Sequence, residues 1–351
     1  MHVPFCAHRC DYCAFATYSD RDHLMEGYVQ AVLQEIAGAK EKGLPKATSV
    51  FFGGGTPSRL SAEQLLQILD AIERTDDAEV TVECNPEDAD VDRLRAYKAG
   101  GVTRMSFGVQ STQPAVLADL GRRHGIMAHR EVSQAVHDAG FVTWNMDLIV
   151  GSRAENLDDV RHTLDDLLTL EHPPPHISCY ALTPEPATPL GRDPKRHPDE
   201  DATADAYDLV GEVLEQHGYL WEEISNWAKP GHECRHNHVY WEHDDYVGFG
   251  SAAHSHRSGR RYWNVRTPDR YIAMVQCGER PLGGEEVLDE ATQAIERDSL
   301  ALRTRRGVPV EAFASLEEIR HLVNVQENRV TLTPKARLVA NQVIIRLKSS
   351  P

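Results

Sequence analysis

Three cysteines, Cys6, Cys10 and Cys13, fall in the run Cys6-Ala7-His8-Arg9-Cys10-Asp11-Tyr12-Cys13, a C-x3-C-x2-C spacing. Three thiolates on one short loop can each hold one iron of a [4Fe-4S] cluster. Electron-transfer clusters normally take four cysteines, so such a loop leaves one iron without a protein ligand, open to a small molecule. His8 and Arg9 add positive charge that favours the thiolate form metal binding requires. A structural zinc site is the competing reading. It usually needs four ligands, often in C-x2-C pairs, and here His2 or His8 would have to complete it. The remaining cysteines, Cys84, Cys179, Cys234 and Cys277, are scattered. Seven is an odd number in a chain too long to depend on disulfides, so these four read as small buried hydrophobes in a reducing compartment.

The whole chain has ordinary globular composition, with 41% apolar and 26% charged residues in 351. Its 54 Asp and Glu against 37 Lys and Arg leave a formal net charge of −17. That charge repels nucleic acid and anionic membrane surfaces, so no nucleic-acid partner is expected. No apolar run approaches the roughly 20 residues that span a bilayer. Met1-His2-Val3-Pro4-Phe5-Cys6 lacks the basic and apolar parts of a secretory signal. A cytoplasmic location is expected.

The elements that must position the cysteine loop follow a regular order. From residue 48, short β-rich runs alternate with apolar residues at helical spacing. The strands read are Ser49-Val50-Phe51-Phe52, Val80-Thr81-Val82-Glu83, Arg104-Met105-Ser106-Phe107, 142–149 and 177–181, with one more at the extreme N-terminus. Between the first two, Ser61-Ala62-Glu63-Gln64 is a capping box, and Leu65, Leu66, Ile68, Leu69 and Ile72 form the apolar stripe of a helix. Val29, Val32, Leu33 and Ile36 place a helix ahead of them, and 129–139 and 157–170 supply two more. Such an α/β alternation buries a parallel sheet under helices and puts its chemistry at the carboxyl ends of the strands. Six units are too few for a closed eight-stranded barrel, so a partial (β/α)6 TIM-like barrel is expected over 1–190. Residues 191–285 hold a helix (202–217), a segment rich in His and aromatics, and a glycine-rich run. Residues 286–351 read as a small, mostly helical, winged-helix-like domain. In it, two helical stretches precede a hairpin at Gln326-Glu327-Asn328, and a last helix from Thr333-Pro334 carries Leu338, Val339, Val343, Ile344 and Leu347. From Asp289 onward there are 10 basic and 8 acidic side chains, a weak basis for DNA contact, so a packing module is the better reading.

The three-cysteine loop resembles that of the radical S-adenosylmethionine (SAM) superfamily, whose members chelate SAM through its amino and carboxylate groups at the open iron. Tyr12 matches the superfamily's aromatic position beside the third cysteine. Phe52-Gly53-Gly54-Gly55-Thr56-Pro57 follows a strand and resembles the superfamily's site for the methionine amino group, which points to Gly54, Gly55 and Thr56. Glu83, Gln110, Arg122 and Asp147, each at or beyond a strand end, resemble SAM contacts in the coproporphyrinogen III oxidase-like branch, and Ala181 would be a backbone contact. The residue types suit this use. A guanidinium pairs with a carboxylate, while carboxylates and amides hold an amine or ribose hydroxyls.

Within that branch the oxidase adds a fourth cysteine two residues after the third, where this chain has Phe15. Cys13-Ala14-Phe15 instead resembles the HemW subfamily of heme-binding proteins. His236-Asn237-His238-Val239-Tyr240-Trp241 matches that subfamily's H-N-x-x-Y-W pattern. The resemblance implies heme contacts at His236, Asn237, Tyr240 and Trp241, since imidazole can ligate heme iron and aromatics pack on a porphyrin. Read alone, a histidine-rich surface turn, a divalent-metal site or satisfied structural histidines are the lesser alternatives, because six of the 18 histidines lie between His232 and His256. Cys234 is another possible thiolate ligand. Two features depart from the pattern. Relatives carry a tyrosine ahead of the His-x-Pro matched by His2-Val3-Pro4, so a native start upstream of Met1 is expected. Val150-Gly151-Ser152-Arg153-Ala154 stands where relatives have Gly-Leu-Pro-Gly.

The resemblance implies a heme chaperone that holds a [4Fe-4S] cluster and SAM and passes heme to a respiratory-chain hemoprotein acceptor. Association with a membrane face would then run through the acceptor, and either a monomer or a dimer is compatible. The alternative is a radical SAM enzyme that decarboxylates porphyrinogen propionates. A DNA-associated regulator is a third reading, which the net charge opposes.

Overall fold

The computed structural model describes residues 1–348. A short first strand, β1 (His2–Val3), leads through the cysteine loop into α1 (Met25–Glu41). Regular alternation then follows: β2 (Ala47–Gly54), α2 (Ala62–Ala71), β3 (Arg74–Cys84), α3 (Val91–Ala99) and β4 (Arg104–Gln110). Two helices, α4 (Pro114–Asp119) and α5 (Ala128–Asp138), precede β5 (Thr143–Val150), α6 (Leu157–Leu168), β6 (His176–Ala181) and α7 (Glu200–Gln216). Strands β1 to β6 are parallel and lie in sequence order, as expected. The capping box of α2 forms with both of its bonds, Gln64 N to Ser61 Oγ and Ser61 N to Gln64 Oε1, each at 3.1 Å.

The sheet goes further than the βα pattern indicates. Two short strands, β7 (Leu220–Glu223) and β8 (Asn226–Ala228), extend it antiparallel beyond β6. The order is β1-β2-β3-β4-β5-β6-β8-β7, with β1 and β7 at its two edges, so the barrel is partial. Alternation along each strand divides the residues between the two faces. Met105, Phe107, Trp144 and Met146 join the apolar core beneath the helices. Ser106, Asn145, Asp147, His176 and Ser178 instead bond to one another on the inner face. The lumen is therefore polar, and these five side chains partner one another, as low-dielectric burial favours, although His176 Nε2 is left without a hydrogen-bond partner.

The next segment, α8 (Arg235–Trp241), is the helix of the H-N-x-x-Y-W stretch, and it packs against β2. After it, β9 (His254–Arg257), β10 (Arg260–Asn264) and β11 (Leu282–Val287) form an antiparallel sheet, with α9 (Pro268–Gln276) between the last two.

The C-terminal unit has its own apolar cluster, including Leu302, Phe313, Val330 and Val343. It contains α10 (Glu290–Leu302), β12 (Val308–Pro309), β13 (Val323–Gln326), β14 (Arg329–Leu332) and α11 (Ala340–Ile344). The hairpin forms where expected, with Glu327 at φ 47° and Asn328 at φ 62°, both positive as a two-residue type I′ turn requires. Two helix expectations are corrected. The second stretch before the hairpin is only a 3-10 turn at Val310–Ala312. The last helix breaks into a turn at Pro334–Ala336 and the five-residue α11. Tertiary contacts outcompete helix propensity here. Leu347 bridges to Phe313, and Arg337 packs its guanidinium 4.2 Å from the Trp221 ring while bonding Glu215 at 3.2 Å. That side chain joins the C-terminal unit to the barrel. Arg337→Ala is expected to lower stability by about 1–2 kcal/mol, read as a lower urea midpoint. An unchanged midpoint would mean the contact contributes nothing.

Candidate functional site

The cysteine loop is fixed by its backbone. Cys6 N donates to Tyr18 O at 3.1 Å, Tyr18 N to Pro4 O at 2.8 Å, and Asp11 N to Leu120 O at 3.2 Å. Arg196 clamps the loop to the end of α4, reaching Asp11 at 2.8 Å and Asp119 at 3.1 Å. Inside the loop, Arg9 donates to Cys13 O through Nε at 3.1 Å and Nη2 at 2.9 Å. All three cysteines are free thiols and line one cavity of about 430 Å³ at the carboxyl ends of the parallel strands. Thr56 Oγ1 lies 3.5 Å from Cys6 Sγ, and Arg122 Nη1 lies 3.5 Å from Cys10 Sγ. Burial pushes the Cys6 and Cys13 thiols up.

Every other residue expected at this site reaches the same cavity. Tyr12 comes from the loop, and Gly54, Gly55 and Thr56 from the end of β2. Glu83 comes from β3, Gln110 from β4, Asp147 from β5 and Ala181 from β6, and Arg122 follows α4. The glycines have separate reasons. A Cβ on Gly55 would meet Phe5 O at 2.7 Å and Val3 O at 2.8 Å. Gly54 has φ +112°, and a Cβ there would strike the His2 ring. Gln110 is held at φ 67°, a left-handed conformation uncommon for glutamine, and its Oε1 is buried without a partner.

The electrostatics favour a charged ligand. Burial, and then the neighbouring Asp147 charge, push the Glu83 carboxyl up to about 8, while burial raises Asp147. Glu83 accepts from Gly54 N at 3.2 Å, and Asp147 from Asn145 Nδ2 at 2.7 Å. Arg122 donates to Gly108 O at 2.6 Å and Asn85 Oδ1 at 3.4 Å, yet its Nε is buried without a partner. Two carboxyl groups short of positive charge and a guanidinium with a spare donor suit an α-amino acid head group. The raised Glu83 carboxyl also has a stability consequence. The folded state holds that proton more tightly than the unfolded chain does, so stability is lost as pH rises from about 4.5 to about 8. Glu83→Gln is expected to melt above wild type at pH 8 with the gap closing by pH 5. A gap independent of pH would refute the shift.

Asn85 was not anticipated. Its Nδ2 lies 3.4 Å from Thr56 Oγ1, and its Oδ1 accepts from Arg122. The signal for it was its place directly after β3, in Asn85-Pro86. Phe15 lies in the cavity wall, 68% exposed. Among the described residues, no three His, Cys, Asp or Glu side chains are grouped to hold a single metal ion. His8, a candidate fourth zinc ligand, lies 3.2 Å from Gly121 O.

A second cavity of about 480 Å³ shares Gly54 with the first and is lined by His236 and Tyr240 of α8, with Phe51, Tyr246 and Phe249. The start of α8 is held by Glu79, which accepts from His236 N at 2.9 Å and Arg235 N at 3.2 Å. The four expected heme contacts divide between two helix faces. His236 and Tyr240 are four residues apart and share one face. Asn237 and Trp241, about 100° round the helix, are absent from this cavity's wall. Cys234 lines neither cavity; it donates to Glu79 at 3.6 Å, and burial pushes its thiol up to about 12.

Comparison with known proteins gives a consistent result. The sequence model of the radical SAM superfamily matches residues 1–167. The chain is 35% identical to a Mycobacterium tuberculosis protein named heme chaperone HemW, over 98% of this chain and 93% of that one. It is 33% identical to the Bacillus subtilis protein of the same name, over 98% and 97%. Among solved structures, the radical SAM enzyme coproporphyrinogen III oxidase (HemN) from Escherichia coli superposes with a TM-score of 0.84 at 22% identity, covering 98% of this chain and 88% of that one.

Proposed function

The chain belongs to the HemW family within the radical SAM superfamily, and from that membership we propose that it is a heme chaperone. Cys6, Cys10 and Cys13 hold a [4Fe-4S] cluster whose open iron takes SAM. Such a cluster supplies a chelation point for the SAM amino and carboxylate groups and a low-potential electron. Arg122 pairs with the carboxylate. Glu83, Gln110 and Asp147 hold the amine and ribose hydroxyls, Gly54, Gly55 and Thr56 approach through backbone and hydroxyl, Tyr12 lies beside the adenine, and Ala181 offers backbone. The single observation that carries this reading is the convergence of all twelve residues on one cavity wall from seven separate strand ends and loops.

Heme binds at the α8 segment, with His236 and Tyr240 in the cavity wall and Asn237 and Trp241 on the adjoining helix face. It is delivered to a respiratory-chain hemoprotein, which brings the protein to a membrane face from the cytoplasm, as monomer or dimer. No helix among the described residues is long and apolar enough to cross a membrane. The segments 1–190, 191–285 and 286–351 are assigned respectively to the cluster and SAM, to heme, and to packing. The test is anaerobic reconstitution followed by heme titration and an assay with reductant, SAM and coproporphyrinogen III. The expected result is a full iron–sulfide complement, heme binding and no protoporphyrinogen. Stoichiometric zinc without acid-labile sulfide would overturn the cofactor assignment, and protoporphyrinogen formation would favour the decarboxylase.

A further inference from the structure

Three histidines, His2, His236 and His254, line the second cavity, and they differ in what their rings are free to do. A neutral imidazole has one donor and one acceptor nitrogen. His236 has both engaged, Nδ1 with Ser49 Oγ at 2.9 Å and Nε2 with Tyr240 Oη at 2.9 Å, and its ring stacks on Phe51 at 4.9 Å and 15°. His2 is packed over Gly54, and its Nδ1, though without a hydrogen-bond partner, is shut off from solvent. His254 is exposed, its ring makes no hydrogen bond among the described residues, and it stacks on Trp263 at 5.6 Å and 22°. The pairing of β9 with β10 sets His254 opposite Trp263, which fixes the ring's position.

The same wall carries two cations, Lys46 and Arg257, both exposed and neither in an ion pair among the described residues, in a chain of net charge −17. The wall's carboxylate, Asp245, is already occupied by Ser258, accepting from its N at 2.7 Å and its Oγ at 3.5 Å. Phe51, Tyr240, Tyr246 and Phe249 line the same cavity. The volume falls within the roughly 300–1,000 Å³ of small-molecule sites. A flat aromatic ligand with two carboxylates and a metal short of a ligand meets all three features.

We propose that this cavity binds heme with the iron ligated by His254 and the propionates paired to Lys46 and Arg257, while His236 is a positioning residue that holds the Phe51–Tyr240 wall. This rests on the heme-chaperone reading and adds the iron ligand and the anion contacts to it.

Hemin titration of the full chain, read at the Soret band, tests it. His254→Ala is expected to move the Soret maximum and weaken binding by roughly tenfold or more, with added imidazole restoring the wild-type spectrum. His236→Ala is expected to weaken binding by loosening the Phe51–Tyr240 wall while keeping the wild-type Soret position, with no effect of added imidazole on the spectrum. The doubly substituted K46A/R257A chain is expected to bind heme and heme dimethyl ester alike, where wild type prefers heme by roughly tenfold. An unchanged His254→Ala spectrum, or a shift only in His236→Ala, overturns the ligand assignment and leaves the chaperone reading standing. Equal wild-type affinity for heme and its ester overturns the propionate contacts. A wild-type chain that binds no heme defeats the chaperone reading itself.

Discussion

Replacing Cys6, Cys10 and Cys13 together with alanine is expected to leave a colourless protein that takes up no iron–sulfur cluster on anaerobic reconstitution. Each thiolate is assigned one iron, so removing all three leaves the loop without a cluster ligand. The variant should still fold. The loop is held by main-chain bonds from Cys6, Asp11 and Cys13, by the clamp of Arg196 on Asp11 and Asp119, and by Arg9 on Cys13 O, none of which uses sulfur. Cys6 and Cys13 are only half-buried, so a stability loss of about 1 kcal/mol at most is expected at each, with the larger share falling on the buried Cys10. The measurement is iron and acid-labile sulfide per chain, with a circular dichroism melt as control. Normal iron content would move the cluster elsewhere.

The second large effect concerns Arg122. Its guanidinium reaches Gly108 O, Asn85 and Cys10, and its unpartnered Nε leaves a donor for the ligand carboxylate. Truncating one member of a desolvated charge pair costs about 2–4 kcal/mol, so Arg122→Ala should weaken SAM binding roughly thirtyfold to a thousandfold. Arg122→Lys keeps the charge but not the planar fork and should fall between. Calorimetry on the cluster-loaded protein decides. A loss below about threefold would reduce Arg122 to a support for the β4 loop.

Much of this architecture is legible in the sequence because two local rules agree along most of its length. Trp144-Asn145-Met146-Asp147-Leu148 alternates apolar and polar, and the structure sends Trp144 and Met146 to the core and Asn145 and Asp147 to the lumen. The placement of chemistry at strand ends then brings Gly54, Glu83, Gln110, Asp147 and Ala181 together although they are spread over more than a hundred residues. What was not legible depends on distant partners. Strands β7 and β8 contain Glu222, Glu223 and Asn226, a polar stretch on its face, yet all three are buried beside His176, His238 and Ser178. Strand β11 carries Gly283, Gly284, Glu285 and Glu286, poor strand formers that pair only because β10 lies alongside. The engagement of both His236 nitrogens was equally hidden, since Ser49 lies 187 positions away.

Gly54 belongs to the walls of both cavities, and its main-chain N–H donates to Glu83 on the first side while the His2 ring covers it on the other. With φ +112° and no room for a β-carbon, that position admits no other residue without strain. Evolution therefore has no easy means of thickening the partition there or of opening it by degrees. Two chambers built against a single bare peptide unit are bound to inherit each other's disturbances, and drift at this spot would damage both at once.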